Sequence, residues 1–323
     1  MKFGRLITAI DTYAVGMLHR VVVGGVPNIY GKTMKQKQQY FERNLDYIRT
    51  MLVKGPDDDK ALVAALITEP TTEEANVGLI WMDKEGCFNM CGSGSFAVGT
   101  VLIETGIVEA SEPVTEMVVD TSIGLLKLRA EVRDGSVQSV TTTTSPAFFY
   151  KPYVLDISGI GRIPVDISYG LNFFEPMINA REIGIEVNLE NAGRLEKIGL
   201  AIRDKVNESI ELSHPEDATI NKVKQVQFYD PEPANPQVDC RCVAIVGPGG
   251  IDLTPSGTST CAHMASLYAK GKLTLGEQFV MESITGAVIK GKIVGETKYG
   301  GYKAIIPEIT GDAHIMRFIT IVN

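Results

Sequence analysis

The chain has 323 residues, 44% of them hydrophobic and 22% charged, and a formal net charge of −8 at neutral pH. That length suits two domains of roughly 150 residues each. No apolar run approaches the roughly 20 residues needed to cross a bilayer, and no basic stripe offsets the acidity, so neither a membrane nor nucleic acid is expected as a partner. The opening MKFGRLITAIDTYAVG lacks the basic start, apolar middle and small-residue cleavage site of a secretion signal, which predicts a cytoplasmic chain. Its five cysteines, irregularly spaced, match neither a disulfide framework nor a paired zinc site, so free thiols are expected.

The first strand is predicted over Arg5 to Ile10 and a second over His19 to Val26, before turn chemistry at Pro27 and Asn28. Thr33 with Gln36 forms a capping box, and Phe41, Leu45, Ile48 and Leu52 follow at helical spacing until Gly55-Pro56 ends the run. Ala61 to Ile67 and Val77 to Met82 are short apolar runs of buried-strand type. From Thr115 to Phe149 strands dominate, with turns at Gly124 and Asp134-Gly135. Leu195, Ile198, Ile202, Val206 and Ile210 mark a second amphipathic helix, ahead of Pro215. Further strands are predicted at Val223 to Tyr229, Cys242 to Val246, Gln278 to Ser283, Ala287 to Val294 and Tyr302 to Ile306.

Self-comparison reveals an internal repeat. Cys91-Gly92-Ser93-Gly94-Ser95-Phe96-Ala97 returns as Ser256-Gly257-Thr258-Ser259-Thr260-Cys261-Ala262. Each copy leads into an apolar helix that reaches a glycine fifteen residues on, Gly106 and Gly271. Asp120 to Gly124 and Glu282 to Gly286 then begin comparable strand-turn-strand stretches. Two similar halves predict a pseudo-two-fold molecule whose matching helix starts face a common cleft. Free amides at a helix start bind a carboxylate, glycine admits close approach, and a cysteine there has its thiol pKa lowered from about 8.5. Tight helix starts with Ser and Thr caps would explain one copy; the repetition favours a site.

The same residues carry a family resemblance. Met90-Cys91-Gly92-Ser93 resembles the M-C-G-H-G motif of the proline racemase superfamily, and Asp252 to Thr258 resembles its D-R-S-P-C-G-T-G motif. Ile10-Asp11, Asp166 to Gly170, Asn172 to Phe174, Leu267 to Gly271 and Phe279 to Ser283 extend the likeness over most of the chain. The resemblance implies an α/β (α+β) architecture of diaminopimelate-epimerase-like type, two pseudo-symmetric domains that each wrap an antiparallel, barrel-like sheet around a central helix. Residues 1–147 with a returning strand near 310–323 would form the first half, and residues 148–309 the second. It also implies Cα proton transfer between thiols without pyridoxal phosphate or another cofactor. Carried over, Cys91 is a catalytic base, Ser256 stands in the second cysteine's place, Gly92, Ser93, Gly257 and Thr258 hold the carboxylate, and Asp252 receives the ammonium.

Several positions depart from the family pattern. Ser256 replaces a cysteine, Ser93 a histidine, Tyr13 a histidine, and Pro56-Asp57-Asp58-Asp59 a P-R-G-H segment. A hydroxyl is a poor acid–base group near neutrality, which sets dehydration of a 3-hydroxyproline beside racemisation or epimerisation of proline or hydroxyproline. A binding protein that has lost the chemistry is the further alternative. The substrate expected is a small, proline-like amino acid; a homodimer is compatible with the sequence and not decided by it. Cys87, Cys240, Cys242 and Cys261 are read as packing residues, and His19, His214, His263 and His314 as surface or satisfied structural groups without metal spacing. Gly247-Pro248-Gly249-Gly250 is read as a loop, not a phosphate cradle, and Asp57 to Asp59 as a solvated turn.

Overall fold

The computed structural model describes residues 4–53, 63–247 and 250–322. Two compact units divide the chain: one runs to Thr142 and takes back the residues from Thr310 onward, and the other is Thr143–Ile309. In chain order the first unit contains β1 (Leu6–Ala14), β2 (Met17–Gly24), α1 (Met34–Asn44), α2 (Asp46–Val53), β3 (Val63–Thr68), β4 (Val77–Met82), β5 (Cys87–Phe88), α3 (Gly92–Glu104), β6 (Val114–Thr121), β7 (Gly124–Arg133) and β8 (Ser136–Thr143). The second holds β9 (Ala147–Ile157), β10 (Gly161–Gly170), β11 (Phe173–Asn179), α4 (Ala192–Ser209), β12 (Val226–Asp230), β13 (Cys240–Gly247), β14 (Gly250–Asp252), α5 (Gly257–Ala269), β15 (Gln278–Ser283), β16 (Val288–Tyr299) and most of β17 (Tyr302–Gly311). The last strand, β18 (Ala313–Val322), belongs to the first unit.

Strand pairing repeats between the units. In the first, β18, β1, β2, β3, β4, β6 and β7 are joined in that order, parallel at β2/β3 and β4/β6 and antiparallel elsewhere. In the second, β9, β10, β11, β12, β13, β15 and β16 are joined in the same pattern, parallel at β11/β12 and β13/β15. A parallel joint needs a crossover, and each has one: α1 and α2, then α3, in the first unit; α4, then α5, in the second. The C-terminal strand β18 therefore does for the first unit what β9 does for the second. Short strands β5 and β14 pair with β4 and β13 immediately before the two central helices.

Apolar content explains why α3 and α5 are central. All residues from Gly92 to Ile103 and from Gly257 to Ser266 are buried, as a helix without a polar face must be. Strands β1, β2, β3, β7 and β18 pack around α3, and β9, β10, β11 and β16 around α5. Both helices have 13 residues and are followed by a left-handed glycine, Gly106 at φ 72° and Gly271 at φ 67°. By contrast α4 buries one stripe, Leu195, Ile198, Ile202 and Val206, as its spacing predicts.

The helix predicted through Phe41 and Leu52 is broken at Leu45, where φ is −130°. Asp46 restarts it and holds Arg49 at 2.6 Å, and the bend lets Phe41, Leu45, Ile48 and Leu52 all reach one core. Gly55-Pro56, Asp57 to Asp59 and Pro248-Gly249 lie outside the described residues. The first two strands are also displaced from their predicted bounds. The two-residue turn Val15-Gly16 closes the β1/β2 hairpin, and Leu171-Asn172 closes β10/β11 in the same place. Val15 (φ 40°) and Leu171 (φ 47°) adopt the left-handed backbone that such tight hairpins demand, although neither is glycine.

On β1, Asp11 is fully buried and receives Arg20 at 2.7 and 3.0 Å and Arg317 at 2.9 Å. Burial alone would raise its pKa; the two guanidiniums outweigh that and hold the carboxyl below its usual range. Arg20 also donates to the carbonyl of Leu52, so one ion cluster ties β1, β2, β18 and α2 together.

Candidate active site

Cys91 caps α3. Its backbone is extended, and its sulfur accepts from the amide of Gly94 at 3.3 Å. Gly94 has no room for a side chain, because a Cβ there would lie 2.7 Å from the Trp81 ring and 3.1 Å from the sulfur. The first intrahelical bond is donated by Ser95 to the carbonyl of Cys91, and the Ser95 hydroxyl reinforces it at 2.7 Å. The amides of Gly92 and Ser93 precede that ladder and are left available to an anion. Behind the sulfur, Ser93 Oγ lies 3.6 Å from Cys91 Sγ and 2.9 Å from Nε2 of His19 on β2.

Ser256 occupies the matching place on α5. Thr260 repeats the role of Ser95, its amide and hydroxyl both donating to the Ser256 carbonyl, and the amides of Gly257 and Thr258 are left over in the same way. The backbone differs: Ser256 has φ 59° and ψ 118°, against −126° and 119° for Cys91. A non-glycine residue held there stores strain of order 1–3 kcal/mol, a cost that recurs at functional positions. Its Oγ accepts from the Ser259 amide at 3.4 Å and from Gln225 Nε2 at 3.2 Å, and its own amide donates to Thr254 Oγ1 at 2.9 Å. Asp252 in turn accepts from the amide and hydroxyl of Thr254 at 2.8 and 2.7 Å and is hydrogen-bonded by the Ser256 side chain. Burial pushes the Asp252 carboxyl up to about 6 against these bonds.

Each unit therefore assembles its own part of the predicted set: Cys91, Gly92 and Ser93 on α3, and Asp252, Ser256, Gly257 and Thr258 around the start of α5.

Three residues of the second cluster were not singled out from the sequence. Glu175 on β11 is fully buried, and its Oε1 accepts from Ser259 Oγ at 2.5 Å and Gln225 Nε2 at 2.7 Å; among the described residues Oε2 has no partner. Ser259 itself stands where the D-R-S-P-C-G-T-G motif ends in glycine. The available signal was a lone carboxylate inside the apolar run Phe173 to Ile178. Glu175 is the third residue of β11, as His19 is of β2, so the repeat places one ionisable side chain under each helix start.

Burial raises the Glu175 carboxyl to about 7. Between its ordinary value near 4.5 and 7 the folded chain keeps a proton that the unfolded chain releases, so this group's contribution to stability falls as pH rises through that window. Glu175→Gln is expected to raise stability at pH 8 by about 2–3 kcal/mol and to leave it little changed at pH 4, which urea melts at the two pH values will check.

The remaining four cysteines stand at neither helix start. Burial pushes Cys87 up to about 12, Cys261 up to about 12, and Cys240 and Cys242 upward as well. Cys240 and Cys242 both face the interior from β13, and Cys261 lies inside α5.

A family model described as proline racemase matches residues 9–322. The chain belongs to the proline racemase family. Within that family it is 43% identical over 319 residues to a proline racemase of Clostridioides difficile, covering 98% of this chain and 95% of the relative. A trans-3-hydroxy-L-proline dehydratase of Bacillus cereus is 32% identical over 318 residues, covering 98% and 95%. The solved structure of a hydroxyproline epimerase from Agrobacterium vitis, with bound trans-4-hydroxy-L-proline, superposes with a TM-score of 0.88 at 29% identity, covering 100% and 94% of the two chains. The architecture predicted from the resemblance is thus the family's, and the chain is an enzyme of proline-racemase-like function. Among the described residues no helix is long and apolar enough to cross a membrane.

Proposed function

We propose that this family member removes the Cα proton of proline, hydroxyproline or a related small amino acid, with the Cys91 thiolate as base. The observation that carries the reading is the sulfur at the N-cap of a helix buried from Gly92 to Ile103, accepting from Gly94 beside the first-turn amides of Gly92 and Ser93. Those amides and the matching pair Gly257 and Thr258 hold the carboxylate, Asp252 takes the ammonium, and Ser256 serves the opposite face of the same carbon. Racemisation or epimerisation completes the step when a proton returns on that face.

One observation favours a second outcome. Ser256 is a hydroxyl where the family motif has a cysteine, and a hydroxyl is a poor second base near neutrality. With a 3-hydroxyproline, Cys91 takes the Cα proton, the freed pair forms the double bond to Cβ, and the Cβ–O bond breaks as its oxygen takes a proton and leaves as water. A single thiolate suffices.

Incubation of the protein with L-proline, 4-hydroxyproline and 3-hydroxyproline in deuterium oxide, followed by proton NMR, separates the readings. Loss of the Cα signal with inversion gives the racemase or epimerase, and conversion of 3-hydroxyproline to a pyrroline carboxylate gives the dehydratase. Calorimetric binding with no Cα exchange on any of the three would overturn both and leave the non-catalytic binding protein.

A further inference from the structure

His19 is buried on β2 with its Nδ1 3.2 Å from the carbonyl oxygen of Met17. A carbonyl only accepts, so Nδ1 carries the hydrogen. Burial pushes the ring's pKa down to about 4, so at neutral pH it is uncharged and Nε2 presents a lone pair. The partner of that lone pair is Ser93 Oγ at 2.9 Å, which must therefore donate. The serine oxygen is left with only lone pairs for Cys91 Sγ, 3.6 Å away, so a protonated sulfur donates to it. The donor order runs one way, from S–H to O–H to Nε2. Among the described residues the second unit shows no counterpart: Glu175, in the position of His19, bonds Ser259 and not Thr258, the residue that matches Ser93.

We propose that Ser93 and His19 form a proton relay behind Cys91. As the thiol ionises, its S–H bond breaks and the proton goes to Ser93 Oγ, while the serine's own proton moves to His19 Nε2. A thiolate and an imidazolium result, with no change in net charge; burial alone disfavours the imidazolium, and the thiolate formed two hydrogen bonds away supplies the opposite charge that offsets it. The imidazolium keeps its Nδ1–H bond to Met17, and the thiolate keeps the Gly94 amide. The return transfer restores the thiol. Both residues act through Cys91 and are positioning residues in that sense; the Ser93 amide remains available to substrate, since only its hydroxyl is committed. The proposal rests on Cys91 as the reactive sulfur.

Two readouts at one pH test it: the rate at which iodoacetamide alkylates Cys91 without substrate, followed by peptide mass spectrometry, and Cα exchange in deuterium oxide. His19→Gln keeps an acceptor for the Ser93 hydroxyl but takes no proton, and Ser93→Ala removes the link. Both should slow alkylation and exchange by about tenfold or more, and Ser93→Thr, which restores a hydroxyl, should recover much of what Ser93→Ala loses. Near-UV circular dichroism on each variant identifies any that misfold, and Ser93→Thr against Ser93→Ala then decides the matter. Alkylation at the wild-type rate in folded His19→Gln or Ser93→Ala would overturn the relay. If the variants slow alkylation but the wild-type chain exchanges no substrate, the relay stands and the reading of Cys91 as a Cα base falls.

Discussion

Cys91→Ala should reduce Cα exchange of the preferred substrate by at least about a thousandfold, while leaving the chain folded and able to bind. The sulfur sits at the N-cap of α3 and accepts an amide N–H from Gly94, a placement that favours negative charge on it. Alanine keeps the Cβ and the extended backbone but offers no base, and Ser93 cannot substitute because its proton is committed to His19. The amides of Gly92 and Ser93 are untouched, so ligand affinity should change far less than turnover. Single-turnover exchange and calorimetry on the same preparation separate the two effects; comparable losses in both would place Cys91 in binding instead of chemistry.

Ser256→Cys should move the enzyme in the opposite direction, raising interconversion of proline enantiomers by about a hundredfold or more. A serine hydroxyl hardly ionises near neutrality, whereas a thiol has an ordinary pKa near 8.5 and a helix start lowers it. The substitution keeps the Cβ, so it adds no backbone strain beyond that already held at φ 59°. The Ser259 amide that now caps the oxygen is placed for sulfur as the Gly94 amide is for Cys91. Chiral chromatography of L-proline incubations will show the gain. If 3-hydroxyproline is the natural substrate, the same variant should lose water elimination as it gains racemisation, because the hydroxyl bonded to Asp252 is gone.

Much of this was legible in the sequence because the two halves repeat their chemistry as well as their fold. Cys91-Gly92 and Ser256-Gly257, the paired helices and the glycines at 106 and 271 are local signals, set by caps and turns within a few residues. The shared strand order was not legible. Parallel joints such as β2/β3 and β4/β6 link segments separated by whole helices, and no local pattern reports which strands pair. The break at Leu45 was hidden because helical spacing survives it. The polar groups behind the two caps were missed for a related reason: His19 and Glu175 look like isolated exceptions in apolar runs until the hairpin turns at Val15-Gly16 and Leu171-Asn172 bring each to the third position of its strand, beneath a helix start.

The most direct test of Cys91 as the proton-abstracting base is graded alkylation with iodoacetamide, scoring each of the five cysteines by peptide mass spectrometry against Cα exchange in the same sample. Cys87, Cys240, Cys242 and Cys261, all with thiols pushed upward by burial, should react slowly. Exchange should fall in one-to-one proportion with carbamidomethylation of Cys91, and a proline-like ligand should slow both together. Full modification of Cys91 with exchange intact would contradict the account.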